Sequence, residues 1–525
     1  MTSANLLQRR SWCSNMRAIA SINVSSVQIG EEKISMVEKI IRNITYWSAL
    51  LFILIMAACS LFSTTYFRTD YAEVPLYRAD LWPLLLIAAA GVWALFRVIC
   101  RLLDRYRITG RSVMAVLAVY SLLFSTGWVL ISNSVPTADA NTISIIAAEF
   151  AQGTYTGLMP GAYLYRFPHQ IGYTAYVEFI YRLFGAGNYL AVQLINSLWI
   201  CLILFCLYGI SGKLFGEKSA RNTALLLFFC FPLYFYATFA YGNIPSLALS
   251  LAALWCMITY VDSRHPSSLT AAGALAGLAV LLKSNSLIFA VAMLIAAVFA
   301  GNRISWKRRL LAAAAFLVLM QLPGICVKQM YALRADAEVG NHGIPKTAWI
   351  AMGLQDGDLA PGWYNDYVMI AYQKYNNDNL LVAEDARQEI DRSVRSFVSD
   401  PVYGMKFFGE KFISQWNDPS YQCFMVGHEA DAPRGWLADS MYYRTFHGIV
   451  MGFMNGYQFV ILAFAAAFLI ARRKKCDLRV LLPGMIVVGG VLFHLVWEAK
   501  CQYALPYFAV MVPYAGAGVD LRLLE

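Results

Sequence analysis

Three separated stretches collect the side chains able to move protons or hold a phosphate. Residues 135–185 carry Asp139, Glu149, Tyr165, Arg166, His169 and Gln170. A single lysine, Lys283, interrupts the apolar run LAVLLKSNSLIF. The third stretch is Trp497-Glu498-Ala499-Lys500-Cys501-Gln502-Tyr503. Carboxylates, cations and amides of these kinds suit a reaction in which a base takes a hydroxyl proton while cations stabilise a departing phosphate.

Each stretch also has a plainer reading. Asp139, in Pro136-Thr137-Ala138-Asp139-Ala140-Asn141, would cap a helix over 140–152 by accepting from a free backbone N–H. Ile143, Ile146, Ala147 and Phe150 give that helix an apolar stripe suited to lying flat on a membrane. One carboxylate could both cap and act as base. An arginine such as Arg166 at the headgroup boundary contacts lipid, or with His169 and Gln170 holds a phosphate. A deep lysine costs a few kcal/mol and so marks a functional site, but a turn at Ser284–Asn285 would leave Lys283 at the surface. His494 and Glu498, four apart, would share a helical face. No further ligands stand near them, and no metal is expected. Tracts around Trp349, Trp363 and Trp416 mix rings with amides and carboxylates, which suits a sugar surface or the core of a small domain.

The elements that must position these residues are membrane helices. The chain is 59% hydrophobic and 14% charged, with mean hydropathy +0.52, whereas soluble chains carry roughly 25% charge. Its apolar runs approach the ~20 residues that cross a bilayer. About twelve spans are expected, at 45–66, 81–103, 112–133, 189–212, 220–239, 244–261, 268–283, 286–301, 309–327, 447–471, 478–497 and 502–520. Basic clusters around Arg105, Lys218, Arg303 and Arg473 fall on alternate connectors, so Lys and Arg orient the helices. The net charge of +10 is spent there rather than on a nucleic-acid face. Eleven cysteines, scattered and without a CxxC pair, read as small hydrophobes rather than zinc ligands or disulfides.

The expected organisation is an all-α polytopic membrane protein with a small, mostly α extracytoplasmic domain. It comprises a cytoplasmic tail 1–44, a catalytic membrane module 45–327 with outer loop 134–188, an extracytoplasmic domain 328–446, and C-terminal membrane helices 447–525. Residues 1–35 read as a disordered tail, or as the product of a start assigned too far upstream. Helices are expected from about Ala383 to Val398 and from Pro401, with Asp400 as its cap. Gly273–Gly277 and Gly452–Gly456 have the GxxxG spacing of close helix packing.

The loop 134–185, the Lys283-Ser284-Asn285 step, the Gly343-Ile344-Pro345-Lys346 and Pro361-Gly362-Trp363-Tyr364 tracts and the Trp497–Lys500 turn resemble one family. They are similar to bacterial GT-C membrane glycosyltransferases related to protein O-mannosyltransferases and aminoarabinose transferases (glycosyltransferase family 39-like), over nearly everything after residue 40. The resemblance implies a GT-C fold and a catalytic base at Asp139. Relatives often follow that aspartate with a second polar or acidic residue; here Ala140 stands there, so Glu498 or Glu149 would supply any second carboxylate. The sugar would come from a polyprenyl-phosphate donor, its phosphate held by Arg166, His169, Lys283 and Lys500. Gln170, Tyr165, Trp363 and Tyr503 would contact substrate. The acceptor would be an extracytoplasmic glycan, lipid or protein, with no cofactor, and the location a bacterial plasma membrane. A lipid-linked sugar flippase or a catalytically silent assembly protein are the rival readings.

Overall fold

The computed structural model describes residues 36–68, 73–300, 305–426 and 435–519. The expected tail 1–35 and Arg303 lie outside them. In hydrocarbon every backbone polar group must be paired within its own segment, so apolar runs of this length form helices. The elements in chain order are α1 (Met36–Phe62), strands β1 (Ser63–Tyr66) and β2 (Leu76–Ala79), α2 (Trp82–Arg105), α3 (Gly110–Ser132), α4 (Ala138–Ala151), α5 (Tyr163–Arg166), α6 (Ile171–Phe184) and α7 (Tyr189–Phe215). There follow α8 (Glu217–Leu227), α9 (Phe231–Phe235), α10 (Asn243–Ser263), α11 (Pro266–Leu282), α12 (Leu287–Phe299) and α13 (Trp306–Ala335). The remainder is α14 (Lys346–Gly353), α15 (Tyr367–Lys374), α16 (Asn379–Ser399), α17 (Pro401–Trp416), α18 (Trp436–Tyr443), α19 (Thr445–Arg472), α20 (Leu482–Val496), α21 (Leu505–Ala509) and α22 (Val512–Gly518).

The protein is an all-α polytopic membrane protein. Seven described helices are long and apolar enough to cross a bilayer, and α11, α12 and α20 are shorter apolar helices. The two other expected spans are not single helices. Segment 220–239 breaks after Leu227 into α9 and a 3₁₀ turn, and segment 502–520 breaks into α21 and α22. Proline explains both breaks: Pro232, Pro506 and Pro513 stand at helix starts and lack the N–H that a continuous helix would need. Both segments are almost wholly buried, so other helices rather than lipid enclose them. Two further boundaries move. Residues 36–44, expected in the tail, belong to α1, and α13 runs past 327 to Ala335.

Close approach of helices follows the small residues at one of the two GxxxG sites. A Cβ on Gly277 would meet the Met320 carbonyl at 2.5 Å, and one on Gly273 would meet Leu319 at 2.8 Å, so α11 lies directly on α13. At Gly452 and Gly456 a Cβ would meet nothing within 4 Å, so that spacing seats no neighbour. The Asp400 cap is as expected: its carboxylate accepts from Val402 and Tyr403 N–H at 3.1 and 3.0 Å, with Pro401 first in α17. α14, α15 and α16 share a small core that includes Ala348, Met352, Tyr372 and Val382.

The bundle has two chemically distinct ends. α10 begins beside Tyr241 and ends at Ser263, next to Asp262, about 30 Å away at ~1.5 Å per residue. At the Asp262 end Arg479 pairs with Asp262. The other end gathers the residues of the candidate site. There the antiparallel β1–β2 hairpin, joining α1 to α2, docks on α17 and α19: Thr65 N–H donates to the Asn417 carbonyl at 3.2 Å, and Asn455 donates to Asp80 at 3.1 Å.

Candidate active site

The centre of the site is a tyrosine in a glycine turn. Gly242 has φ +83, and a Cβ there would lie 2.6 Å from the Leu282 carbonyl. A Cβ on Gly172, in the first turn of α6, would lie 2.1 Å from the Leu281 carbonyl. Only glycine lets the α9–α10 turn and α6 both press on the end of α11, where Lys283 follows as the first non-helical residue. The result places the Lys283 ammonium 3.8 Å from the centre of the Tyr241 ring and 5.8 Å from that of Tyr503. A cation over a ring at this range is attracted by roughly 0.5–2 kcal/mol. No described carboxylate forms an ion pair with this ammonium.

The Tyr241 hydroxyl joins this cation to the carboxylate expected as the base. It donates to Asp139 Oδ2 at 2.8 Å and accepts from Gln170 Nε2 at 2.7 Å. Tyr163 lies near Asp139, and burial together with that carboxylate raises its phenol well above the usual range. Asp139 does not cap its helix. α4 starts at Ala138 after Thr137, no side chain caps it, and Asp139 sits within its first turn. Ala138 itself is left-handed, at φ +45. A non-glycine residue held there stores about 1–3 kcal/mol, and such strain gathers at functional sites. The apolar stripe of α4 is buried against protein rather than spread on lipid: Ile143, Ala147 and Phe150 are at most 1% exposed.

His169, in the 3₁₀ turn before α6, lines the same opening. The residue is exposed at the rim, and its ring stands edge-on to Trp349 at 6.3 Å, while Trp349 stacks on Trp497 at 6.3 Å. Its surroundings, and then the nearby Lys283 ammonium, push its pKa down to about 4, so it is neutral near pH 7.

The turn after α20 supplies the opposite wall. α20 ends at Val496, so Glu498 is outside the helix and does not share a helical face with His494. The His494 ring meets the Glu498 carbonyl at 3.2 Å and stacks on Tyr503 at 5.5 Å. The Glu498 carboxylate accepts from the Tyr503 hydroxyl at 3.3 Å. Burial pushes the Glu498 carboxyl up, against the pull of Lys500, the Tyr503 hydrogen bond and Lys283. Lys500 pairs with Glu73 at 2.8 Å. A narrow cleft leads from Lys283 and Tyr503 past Asn243, Ser246 and Ser286 to Phe289 and Tyr507.

Asp139, His169, Gln170, Lys283, Glu498, Lys500 and Tyr503 therefore converge, although the chain separates them by hundreds of residues. The other expected residues take different places. Gln170 is 4% exposed and bound to Tyr241, so it sets that tyrosine rather than meeting substrate freely. Trp363 is 1% exposed, donates to Ser414 at 2.9 Å and packs on Phe67; it is a core residue and has no face for a sugar. Tyr165 stacks on His342 at 5.0 Å, toward the segment after α13. Arg166 accepts from Ile344 N–H through its carbonyl, and its buried Nε has no hydrogen-bond partner. Glu149 accepts from Thr156 at 2.9 Å and lies about 15 Å along α4 from Asp139, too far to assist it.

Trp349, from a tract read as a sugar surface or a small core, and Trp497, from the third stretch, border the site, and Tyr163, Tyr241 and Glu73 complete it without having been singled out as its members. Tyr241 had a faint signal, an aromatic residue beside Gly and Asn in a short connector between two apolar runs. Glu73 had none beyond lying in the polar connector 67–80.

Residues 169–325 match the family described as Dolichyl-phosphate-mannose-protein mannosyltransferase. The match includes His169 and Lys283 but not Asp139, and it supports the resemblance to GT-C glycosyltransferases. Comparison with curated proteins gave no match. Among solved structures, the archaeal oligosaccharyltransferase AglB from Archaeoglobus fulgidus, in complex with an inhibitory peptide and a dolichol-phosphate, aligns at 14% identity and TM-score 0.41. That alignment covers 79% of this chain and 50% of AglB, so the chain spans about half the length of that relative. ArnT from Cupriavidus metallidurans bound to undecaprenyl phosphate aligns at 15% identity and TM-score 0.34, covering 77% of each chain.

Proposed function

We propose that the protein is a membrane glycosyltransferase that moves a sugar from a polyprenyl-phosphate donor to an extracytoplasmic hydroxyl acceptor by single inverting displacement. The observation that carries this reading is the Tyr241 bridge: one side chain bonds the Asp139 carboxylate through its hydroxyl and carries the unpaired Lys283 ammonium on its ring. A proton acceptor and a phosphate-seeking cation thus stand on two sides of one residue. Asp139 takes the proton of the acceptor hydroxyl, which attacks the anomeric carbon. The bond from that carbon to the phosphate oxygen breaks, and its electron pair leaves with the polyprenyl phosphate beside Lys283 and Lys500.

Base catalysis of this kind contributes typically ~100- to 10,000-fold, and cations fixed near the leaving group add a further electrostatic share. A phosphate leaves readily without protonation, so a second catalytic acid is unnecessary. Glu498 then serves to hold Tyr503, whose hydroxyl it accepts from. His169, neutral, offers a hydrogen bond to a phosphate oxygen, with Arg166 at the rim. Sidedness is read from charge: Arg479, in one of the basic connectors, pairs with Asp262 at the end of α10 away from Tyr241, and the orientation rule keeps such connectors in the cytoplasm, so the site would open outward from a bacterial plasma membrane. The acceptor is a glycan, lipid or protein of the cell envelope.

The test uses purified protein with polyprenyl-phosphate sugars in nanodiscs. Free polyprenyl phosphate should appear, and Asp139→Asn should slow its appearance at least ~100-fold, the low end of base catalysis. Equal turnover by that variant would remove Asp139 from the mechanism. Movement of the intact donor across the membrane without cleavage would favour a flippase instead.

A further inference from the structure

We propose that Glu73 is a release residue: it competes with the product phosphate for Lys500, so that the spent lipid carrier leaves the site. The inference rests on the donor reading above. Glu73 comes from the connector between α1 and α2, far from the other site residues in sequence. The docked hairpin delivers it, for β1 and β2 are in register from Ser63↔Ala79 to Tyr66↔Leu76, and Phe67 beside them packs on Trp363 at 5.5 Å. Lys500 is fixed from the other side. Its carbonyl accepts from Tyr503 N–H at 3.0 Å and from Gln415 Nε2 at 3.4 Å. The two charged groups meet at 2.8 Å, with side chains 33% and 21% exposed. They are shielded enough for the pair to matter, and open enough for an anion to reach the ammonium.

The two lysines of the site thus differ. Lys283 has no carboxylate pair, whereas Lys500 has Glu73. The reaction changes the charge they face. The donor is a phosphodiester with one negative charge. Displacement breaks the bond from sugar carbon to phosphate oxygen and leaves a monoester carrying about −1.5 to −2 near neutral pH. Two unpaired lysines would hold that product more tightly than the donor, and turnover would stall on release. A carboxylate already bonded to one lysine lowers the gain from the extra charge, because the phosphate must displace it. Glu73 therefore costs affinity in a way that favours departure.

The measurement is equilibrium binding of undecaprenyl phosphate to the full-length protein in phosphatidylglycerol nanodiscs. Glu73→Gln should bind it about tenfold tighter, the scale of one charge-assisted hydrogen bond, and should show a lower kcat with stronger product inhibition. In a Lys500→Gln background the same change should have no effect on binding. A merely structural role for Glu73 predicts weaker binding, and that result, or unchanged binding, overturns the proposal. So does a tightening that persists without Lys500. If the wild-type protein binds no undecaprenyl phosphate above protein-free nanodiscs, the donor reading itself falls and this inference with it.

Discussion

His169 shows how local surroundings set the chemistry of a single side chain. Partial desolvation among neighbouring groups and then the Lys283 ammonium bring its pKa to about 4, below its ordinary value of 6.5. The unfolded chain then takes up a proton at a higher pH than the folded one, so stability falls as pH drops from about 6.5 toward 4. Thermal unfolding measured across that window should show this slope, and His169→Asn should flatten it. A bound phosphate would work in the opposite direction by favouring the imidazolium. Donor affinity should therefore rise on mild acidification in the wild type and not in the variant.

At the scale of elements, the site depends on two glycines that let segments touch the end of α11. Gly242 is both left-handed and pressed against the Leu282 carbonyl, so a methyl group there is strained by conformation and by contact. Gly242→Ala should move Tyr241 off Lys283 and Asp139. Transfer activity should fall by about tenfold or more, because misplacement of around 1 Å is costly in catalysis. Thermal unfolding should also move to lower temperature, since the strain is borne by the folded state. Ala at Gly452, which meets no neighbour, is the control and should leave both readings unchanged.

At the scale of the whole molecule, one buried lysine ties the helices after α13 to the site. Lys411 in α17 is 1% exposed, and its ammonium donates to the carbonyls of Leu495 at 3.0 Å, Trp497 at 2.8 Å and Gly353. Three N–H groups meet three carbonyls from α14 and from the end of α20. Ala499 N–H donates to the Gly362 carbonyl at 2.8 Å and closes the same joint. Lys411→Met keeps the bulk but leaves three buried acceptors unpaired. It should lower stability by about 3 kcal/mol or more, seen as an earlier thermal transition, with loss of activity as the Glu498 turn loosens.

Much of this molecule is legible in its sequence, for identifiable reasons. Hydrocarbon demands internally paired backbone over long apolar runs, so composition and run length alone determine a helical, many-span protein. Asp400–Pro401 states a helix start because cap and proline act locally. Tertiary structure decides the rest, because it depends on partners remote in sequence. Asp139 looks like a cap until Tyr241, a hundred residues on, is seen bonded to it. Trp363 looks like a sugar platform until Phe67 and Ser414 enclose it, and His494 and Glu498 look like neighbours on one helical face until α20 is seen to end between them. The runs 220–239 and 502–520 have the apolarity of spans, but their prolines and the burial of most of their described residues decide otherwise. Electrostatic pairs between distant connectors, Glu73 with Lys500 above all, leave no periodicity to read, and only the folded chain brings them within reach.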